Sequence, residues 1–509
     1  MNEADFSKDT TFGVIGICGI VGNLIGRILK DKGFNVVGTD MASKEDCKFK
    51  KSLDGYDIKI YYGAHPDDFF NEIDYIIPPP SLSKKSKVFD IIKEKNIPIL
   101  DLKDILNIFL PNKPVFGITG TNGKTTTINL LKKIAYDNGI KPTEHNLLKM
   151  QGNAEFIPPL QARLNGDVAI LEVGTFGVPG TIERIVKYSN MTSGIITNIT
   201  PDHLSNGDNF LDYANVKGEF IKELNQLIVN ANDPTIMGLL RDLNYTKELI
   251  TFGVDALPVS VSEKQCVCRE NIKVKEIISG SGYYFCKCGL TTPQCDYIAT
   301  NIDLKNKKFT LFTPEEKLQV KMNLEGMHNV YNVTSSIIAA HVFLKLPYDK
   351  ILESVANFSG VEGRMEKVAT INEKEIIVDF AHNPAGVETV LRSFKDIYGD
   401  IATVITISSE SGYCGDNEIF DKVLKFSKYV IPASSTSQKI AISRIKEDIS
   451  LNNKILIDHV DDFVKEGTLG ATYDEVLEGI KTALATDCKT IVAIGEAATK
   501  YKSCIKDLS

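Results

Sequence analysis

The run Gly117-Ile118-Thr119-Gly120-Thr121-Asn122-Gly123-Lys124-Thr125-Thr126-Thr127 brings together the residue types that polyphosphate chemistry needs. Small residues let backbone N–H groups turn toward an anion, a lysine supplies a mobile positive charge, and hydroxyls suit a hard cation. Lys124 is expected to reach the outer phosphates of a nucleotide and Thr125 to ligate Mg²⁺. The strict phosphate-loop pattern has glycine where Ile118 stands, and here glycines occupy 117 and 120 instead.

Further along, the apolar run Val168-Ala169-Ile170-Leu171 ends in Glu172, and the run 193–199 leads into Thr200-Pro201-Asp202-His203-Leu204. Polar groups at the carboxyl ends of strands beside a phosphate loop suit a metal, so Glu172 reads as an Mg²⁺ ligand or a solvent-facing glutamate, and His203 as a metal or phosphate ligand. Lys217, in the helical stretch after them, reads by itself as a surface lysine. Cys266-Val267-Cys268 and Cys286-Lys287-Cys288 bracket a hairpin-like stretch, which points to a structural zinc site or to bystander thiols, with Cys295 a possible substitute ligand. Near the N-terminus, Gly13, Gly16, Gly19 and Gly22 punctuate a strand-to-helix turn, and Asp40 closes the next strand. That pattern admits an NAD site, a site for another nucleotide-linked ligand, or a turn that serves the fold alone.

The elements that must position these groups are strands alternating with helices. The phosphate loop follows Pro114-Val115-Phe116 and opens the helix-like Ile128 to Ile134, so it is strand, loop, helix. At 509 residues the chain is expected to form about three domains. We read 1–112 as a small parallel-sheet domain, 113–358 as the phosphate-loop domain with a cysteine-rich insert at about 262–297, and 359–509 as a further doubly wound domain. The net charge of -8 argues against nucleic-acid binding. The polar first residues and glycine-broken apolar run indicate neither signal peptide nor membrane insertion. A cytoplasmic, reducing location follows, so the ten cysteines are expected as thiols or metal ligands rather than disulfides.

Six motifs in order, TGTNGKTTT at 119–127, LEVG at 171–174, TNITPDHL at 197–204, GMHNVYN at 326–332, GVEGRME at 360–366 and DFAHNPAG at 379–386, resemble the Mur ligase family of ATP-dependent peptide-bond-forming enzymes. The cysteine insert and the lysine-rich, tryptophan-free composition resemble its pseudomurein peptide ligases from methanogenic archaea. The DNPR motif of diaminopimelate-adding relatives is absent, and Ser408 to Asn417 stands in that region.

The resemblance implies an α/β, three-domain architecture: an N-terminal Rossmann-like domain that holds a UDP-linked or otherwise nucleotide-linked precursor, a central P-loop ATPase-like domain, and a C-terminal Rossmann-like domain. It implies a nucleotide cradle of Gly120, Thr121, Asn122, Gly123, Lys124, Thr125 and Thr126, and Mg²⁺ held by Thr125, Glu172 and His203. Asn332 would face the adenine, Arg364 and Asp379 would clasp ATP from the last domain, and Lys217 would be carbamylated to support the metal site. Gly19, Gly22, Asp40, His382 and Asn383 would contact precursor or amino acid. The implied reaction activates a carboxylate as an acyl phosphate and joins it to a free amino acid, with Lys124, Lys217, His203 and Arg364 as the catalytic group and the enzyme acting as a monomer. The rival readings are an amidating subunit fed by a glutaminase partner, an NAD-dependent oxidoreductase, and a non-catalytic nucleotide-gated binding protein.

Overall fold

Phe12 and Val14 lie fully buried in β1 (Thr11–Ile15), and one unit of the protein is built around that strand. The computed structural model describes residues 1–109, 112–143, 157–162, 165–175, 177–202, 209–457 and 470–508. The chain divides into two compact units: Met1–Val115 with Lys141–Leu171 and Arg184–Met191, and Phe116–Ile140 with Glu172–Glu183 and Thr192–Ser509.

In the first unit β1 is flanked by β2 (Asn35–Asp40) and β4 (Tyr75–Ile77), with β3 (Lys59–Tyr62) beyond β2, and every pairing is parallel. The crossover helix Ile20–Asp31 buries Val21, Leu24, Ile25 and Leu29, one apolar face at helical spacing. Phe6, Phe12, Phe34, Phe109 and Tyr75 form an aromatic cluster beneath the sheet, with ring centroids 5.2 to 6.5 Å apart. Removing one such ring, as in Phe12→Ala, costs about 3–5 kcal/mol.

The expectation of ten unpaired cysteines fails here, because Cys18 and Cys47 form a disulfide. Cys18 lies in the turn after β1 and Cys47 in the loop after β2. Neighbouring parallel strands bring those loops together, so the two Cα atoms stand 4.9 Å apart across 29 residues of chain.

The second unit holds β5 (Val115–Thr119) from Phe116 onward. Its main sheet runs in the order β15-β14-β13-β9-β8-β7-β5, where β7 is Ser193–Ile196, β8 Gln226–Asn230, β9 Glu248–Val254, β13 Tyr297–Asp303, β14 Lys308–Phe312 and β15 Lys317–Lys321. The strands from β5 to β13 are parallel, and β13, β14 and β15 form an antiparallel edge. β6 (Ala169–Glu172) ends at Glu172, and the following Val173 N–H donates to Ile118 O at 2.9 Å. The helix Met327–Val342 is buried along most of its length against the helix Lys124–Asp137, as expected for an apolar helix set inside a layered α/β core.

Between β9 and β13 an insert forms a separate antiparallel sheet, β10 (Ser260–Gln265), β11 (Asn271–Ile278) and β12 (Ser281–Phe285). The last sheet of the unit has the order β16-β17-β20-β18-β19, comprising Glu366–Ile371, Lys374–Asp379, Thr490–Ile494, Ile401–Ile405 and Tyr429–Pro432. Only its edge strand β16 is antiparallel. Apolar layers on both faces make it a doubly wound sheet.

Candidate active site

Gly120 (φ 139°) and Gly123 (φ 87°) take backbone conformations that other residues adopt only with strain, and between them the chain turns from β5 into the helix Lys124–Asp137. Lys124 Nζ folds back to donate to the carbonyls of Gly120 (3.0 Å) and Thr121 (2.9 Å). Thr125 Oγ1 donates to Glu172 Oε2 at 3.1 Å. A hydroxyl and a carboxylate that already converge form a hard oxygen donor set, which fits Mg²⁺ at the mouth of a phosphate loop.

Lys217 is not a surface lysine. The helix Phe210–Glu223 turns it inward, it is 1% exposed, and its Nζ lies 3.4 Å from Thr119 Oγ1 and 3.3 Å from Gly120 O. Burial first, and then the nearby Lys124 charge, lower its pKa to about 7, against an opposing pull from Asp202 and Glu172. The amphipathic pattern of its helix was the signal for this: Tyr213, Val216, Lys217, Phe220 and Ile221 share the buried side.

The segment after β7 latches the phosphate loop. Thr197 Oγ1 (2.7 Å) and Asn198 Nδ2 (2.9 Å) donate to Asn122 O, while Asn122 N–H donates to Asn198 Oδ1 at 3.0 Å. Neither Thr197 nor Asn198 was expected as a site residue, although both stand in the TNITPDHL motif. Asp202 is buried at the end of this segment; His203 lies outside the described residues.

The loop after β17 completes the cluster. Asn383 caps the helix Pro384–Tyr398 by accepting from Gly386 N–H at 2.9 Å, and its amide also exchanges hydrogen bonds with Asn122 and donates to Asp202 at 3.4 Å. Both Asp379 oxygens accept backbone N–H groups, from Met365 at 2.8 Å and Ala381 at 2.7 Å, so this carboxylate shapes the loop that carries His382 and Asn383. Burial raises the Asp379 pKa, with Arg364 opposing, and burial lowers that of His382. The Arg364 guanidinium stacks 4.4 Å from the Phe380 ring centroid.

Asn332 is buried beneath Gly123. Its amide donates to Asn329 Oδ1 at 2.9 Å, and its oxygen would lie 2.4 Å from any Cβ at Gly123. His328, which the sequence left unassigned, has a buried Nδ1 with no hydrogen-bond partner among the described residues, and burial pushes its pKa down to about 4.

In the insert, the Sγ atoms of Cys266, Cys268, Cys286 and Cys288 all lie within 4.8 Å of one another. Each Cys-x-Cys sits in the same kind of turn. Arg269 N–H bonds Cys266 O and Gly289 N–H bonds Cys286 O, and the residue after each second cysteine has positive φ (72° and 86°). Sulfur separations of 3.9 Å (Cys266 to Cys288) and 3.6 Å (Cys268 to Cys286) match the ~3.8 Å that Zn–S bonds of about 2.3 Å imply in a tetrahedron. Arg241 donates to Cys288 Sγ at 3.2 Å and lowers that thiol to about 6. Cys295 lies outside the cluster, near Pro293 O, and is not a substitute ligand in this arrangement.

In the first unit Gly22 is required by a close approach, since a Cβ there would stand 2.3 Å from Gly16 O. Asp40 closes the same turn by accepting from Cys18 N–H and Ala42 N–H, each at 2.9 Å. No helix among the described residues is long and apolar enough to cross a membrane.

A phosphate loop joined to a strand-end carboxylate, with a buried lysine behind it and a doubly wound sheet's loop meeting it in front, defines a nucleotide-triphosphate-dependent enzyme. Residues 118–276 match the Mur ligase middle domain, and residues 363–477 match the Mur ligase, glutamate ligase domain. A solved pseudomurein peptide ligase type C from Methanothermus fervidus is 38% identical, with a TM-score of 0.76 over 98% of this chain and 100% of that one. A UDP-N-acetylmuramate–L-alanine ligase of Caldicellulosiruptor bescii is 25% identical, over 94% of this chain and 89% of the relative. The UDP-N-acetylmuramate-alanine ligase of Thermotoga maritima shares the fold at 17% identity, with a TM-score of 0.54 over 98% of this chain and 100% of that one. The chain belongs to the Mur ligase family. It has that family's three-domain α/β architecture and is an ATP-dependent acid–amino-acid ligase; the amidating, oxidoreductase and non-catalytic alternatives are not favoured.

Proposed function

We propose that this enzyme joins a free amino acid to a carboxylate of a UDP-linked or otherwise nucleotide-linked precursor in the cytoplasm, during assembly of pseudomurein. The similarity to the Methanothermus fervidus ligase across nearly the whole chain supports that choice of pathway. The observation that carries the residue roles is that Lys124 and buried Lys217 both reach Gly120 O while Thr125, next to Lys124, donates to Glu172.

In this reading residues 1–112 hold the precursor, with Gly19, Gly22 and Asp40 at its nucleotide. Residues 113–358 hold ATP, and residues 359–509 bring Arg364, Asp379, His382 and Asn383 to the nucleotide and the amino acid. Gly120 to Thr126 wrap the phosphates, with Lys124 released from its loop carbonyls to face the β and γ groups. Asn332 lies on the adenine side. Thr125, Glu172 and His203 would hold Mg²⁺, whose contribution is to neutralise charge on the transferring phosphoryl group. Lys217, poised near neutrality, would accept carbamylation and so present a carboxylate to the same cluster. The precursor carboxylate takes the γ-phosphoryl group, the amine attacks the resulting acyl phosphate, and phosphate leaves. Rate comes from positioning and electrostatics rather than from a protein nucleophile. The four-cysteine cluster would hold a structural Zn²⁺, because four thiolates leave no open position for chemistry.

The test is phosphate release from the purified enzyme with ATP and Mg²⁺, screened over all amino acids and over ammonia against UDP-linked precursors. Release that depends on one amino acid and one precursor is expected. Release with ammonia but with no amino acid would overturn the proposal.

A further inference from the structure

Lys264 of β10 is the one cation of the cysteine-bearing sheet that turns toward the phosphate-loop sheet among the contacts of the described residues, and its side chain is 9% exposed. Its Nζ donates to Gly280 O at 2.9 Å and to Ile199 O at 3.4 Å, and lies 3.9 Å from Asp233 Oδ1. Asp233, wholly buried, accepts the Ile199 N–H at 2.7 Å with its other oxygen. Ile199 is therefore held on both sides, its N–H by Asp233 and its C=O by Lys264.

The next residue, Thr200, is gripped between the insert and the phosphate loop. Its N–H donates to Thr121 Oγ1 at 3.1 Å, and Thr121 Oγ1 is also 3.1 Å from Thr200 O. On the other side its methyl group meets Gly280, where a Cβ would stand 3.0 Å from Thr200 Cγ2 and where φ is +77°. Glu276 fixes the Gly280 N–H at 2.8 Å, and Ser260 and Ser262 hold Glu276 in turn. The insert is itself seated on the loop after β8, through Gly282 N–H to Asn232 O at 2.9 Å and Tyr284 OH to Ala231 O at 3.0 Å. Two residues after Thr200 the chain reaches Asp202, which shares Asn383 with the last sheet, and then His203.

We infer that the cysteine-bearing insert is a positioning device for the metal-side loop of the active site, and that Lys264 is the positioning residue through which it acts. The inference rests on the proposed assignment of residues 199–202, which lead to His203 in the sequence, to the Mg²⁺ side. A purely structural insert would need only its own core of Ile272, Val274, Tyr284 and Leu290, and would have no use for a buried ammonium on a strand-end carbonyl outside it.

The experiment compares full-length wild type with Lys264→Met and with Lys273→Met, which removes an exposed charge from the same sheet. Amide hydrogen exchange over residues 197–202 of the nucleotide-free protein is read first, then the Mg²⁺ concentration giving half-maximal ADP formation, and the metal content of the cysteine cluster. Lys264→Met should speed exchange in that segment about tenfold and raise the Mg²⁺ requirement about tenfold, consistent with losing hydrogen bonds from a charged donor. Metal content should stay at the wild-type level, and Lys273→Met should leave all three readouts unchanged. Unchanged local exchange and Mg²⁺ dependence in folded Lys264→Met would overturn the inference, as would exchange accelerated equally throughout the unit. If Lys264→Met does not fold, Lys264→Gln, which keeps a donor without the charge, is judged by the same readouts. Wild-type protein that makes no ADP with any amino acid would refute the proposed function instead, while the exchange measurement would still decide the mechanical link.

Discussion

Asn122 and Asn383 exchange two side-chain hydrogen bonds, each amide donating to the other's oxygen at 3.2 and 3.1 Å, although 261 residues separate them in the chain. One stands in the glycine loop before the helix Lys124–Asp137 and the other caps the first helix of the last sheet, so a single amide pair ties that loop to the one that follows β17. Asn122→Ala removes the exchange and leaves the Asn383 cap on Gly386 intact. The expected result is about a tenfold rise in the KM for ATP, the worth of two modest hydrogen bonds. Labels on the helices Lys124–Asp137 and Pro384–Tyr398 should show a broader distance distribution without nucleotide, narrowing when an ATP analogue and the precursor bind. A distribution identical to wild type would mean that the pair does not restrain the loop after β17 against the phosphate loop.

Lys124→Ala should abolish ADP formation, with a loss of at least ~10²–10³-fold, because in the proposed function it deletes the charge that faces the transferring phosphoryl group. Its hydrogen-bond partners in the described structure are two loop carbonyls, so the thermal transition should move little. Substantial turnover by the folded variant would remove the loop from the catalytic assignment.

Lys217 ties stability to pH. Its folded pKa of about 7 lies below the ordinary value of 10.5, so between those pH values the unfolded chain binds a proton that the folded one does not. Stability therefore rises with pH across that window, and the cost of the buried amine is greatest below it. In bicarbonate-free buffer, Lys217→Met should melt at a higher temperature than wild type at pH 7, with the difference shrinking toward pH 10, while ligase activity is lost. A melting advantage independent of pH would show that burial does not neutralise this amine.

The cysteine cluster should carry about one zinc per chain, by metal analysis of protein purified without chelators. Cys266→Ser and Cys286→Ser should each lose the metal, and Cys295→Ser should retain it. Loss of zinc from Cys295→Ser alone would contradict the ligand set drawn from the sulfur distances.

Features that depend on neighbours in the chain were legible in the sequence. The phosphate loop is one, because Gly120 and Gly123 supply the backbone angles and Lys124 and Thr125 follow at fixed helical offsets. The paired cysteines are another, since a hairpin returns each Cys-x-Cys turn to the other, and the strand-end position of Glu172 needs only the apolar run before it. Tertiary structure alone decided what depends on distant chain segments packing together. Lys217 falls on the apolar side of its helix pattern, but only when that helix is laid against the phosphate-loop strand does desolvation lower its pKa. Cys18 and Cys47 read as separate thiols until parallel strand order sets their two loops side by side, and Cys295 reads as a fifth ligand until the hairpin closes without it. Asn122 meets Asn383, and Lys264 meets Ile199, only because separate sheets of one unit come into contact. Such meetings are selected by the packing of whole layers and leave no local periodicity in the chain.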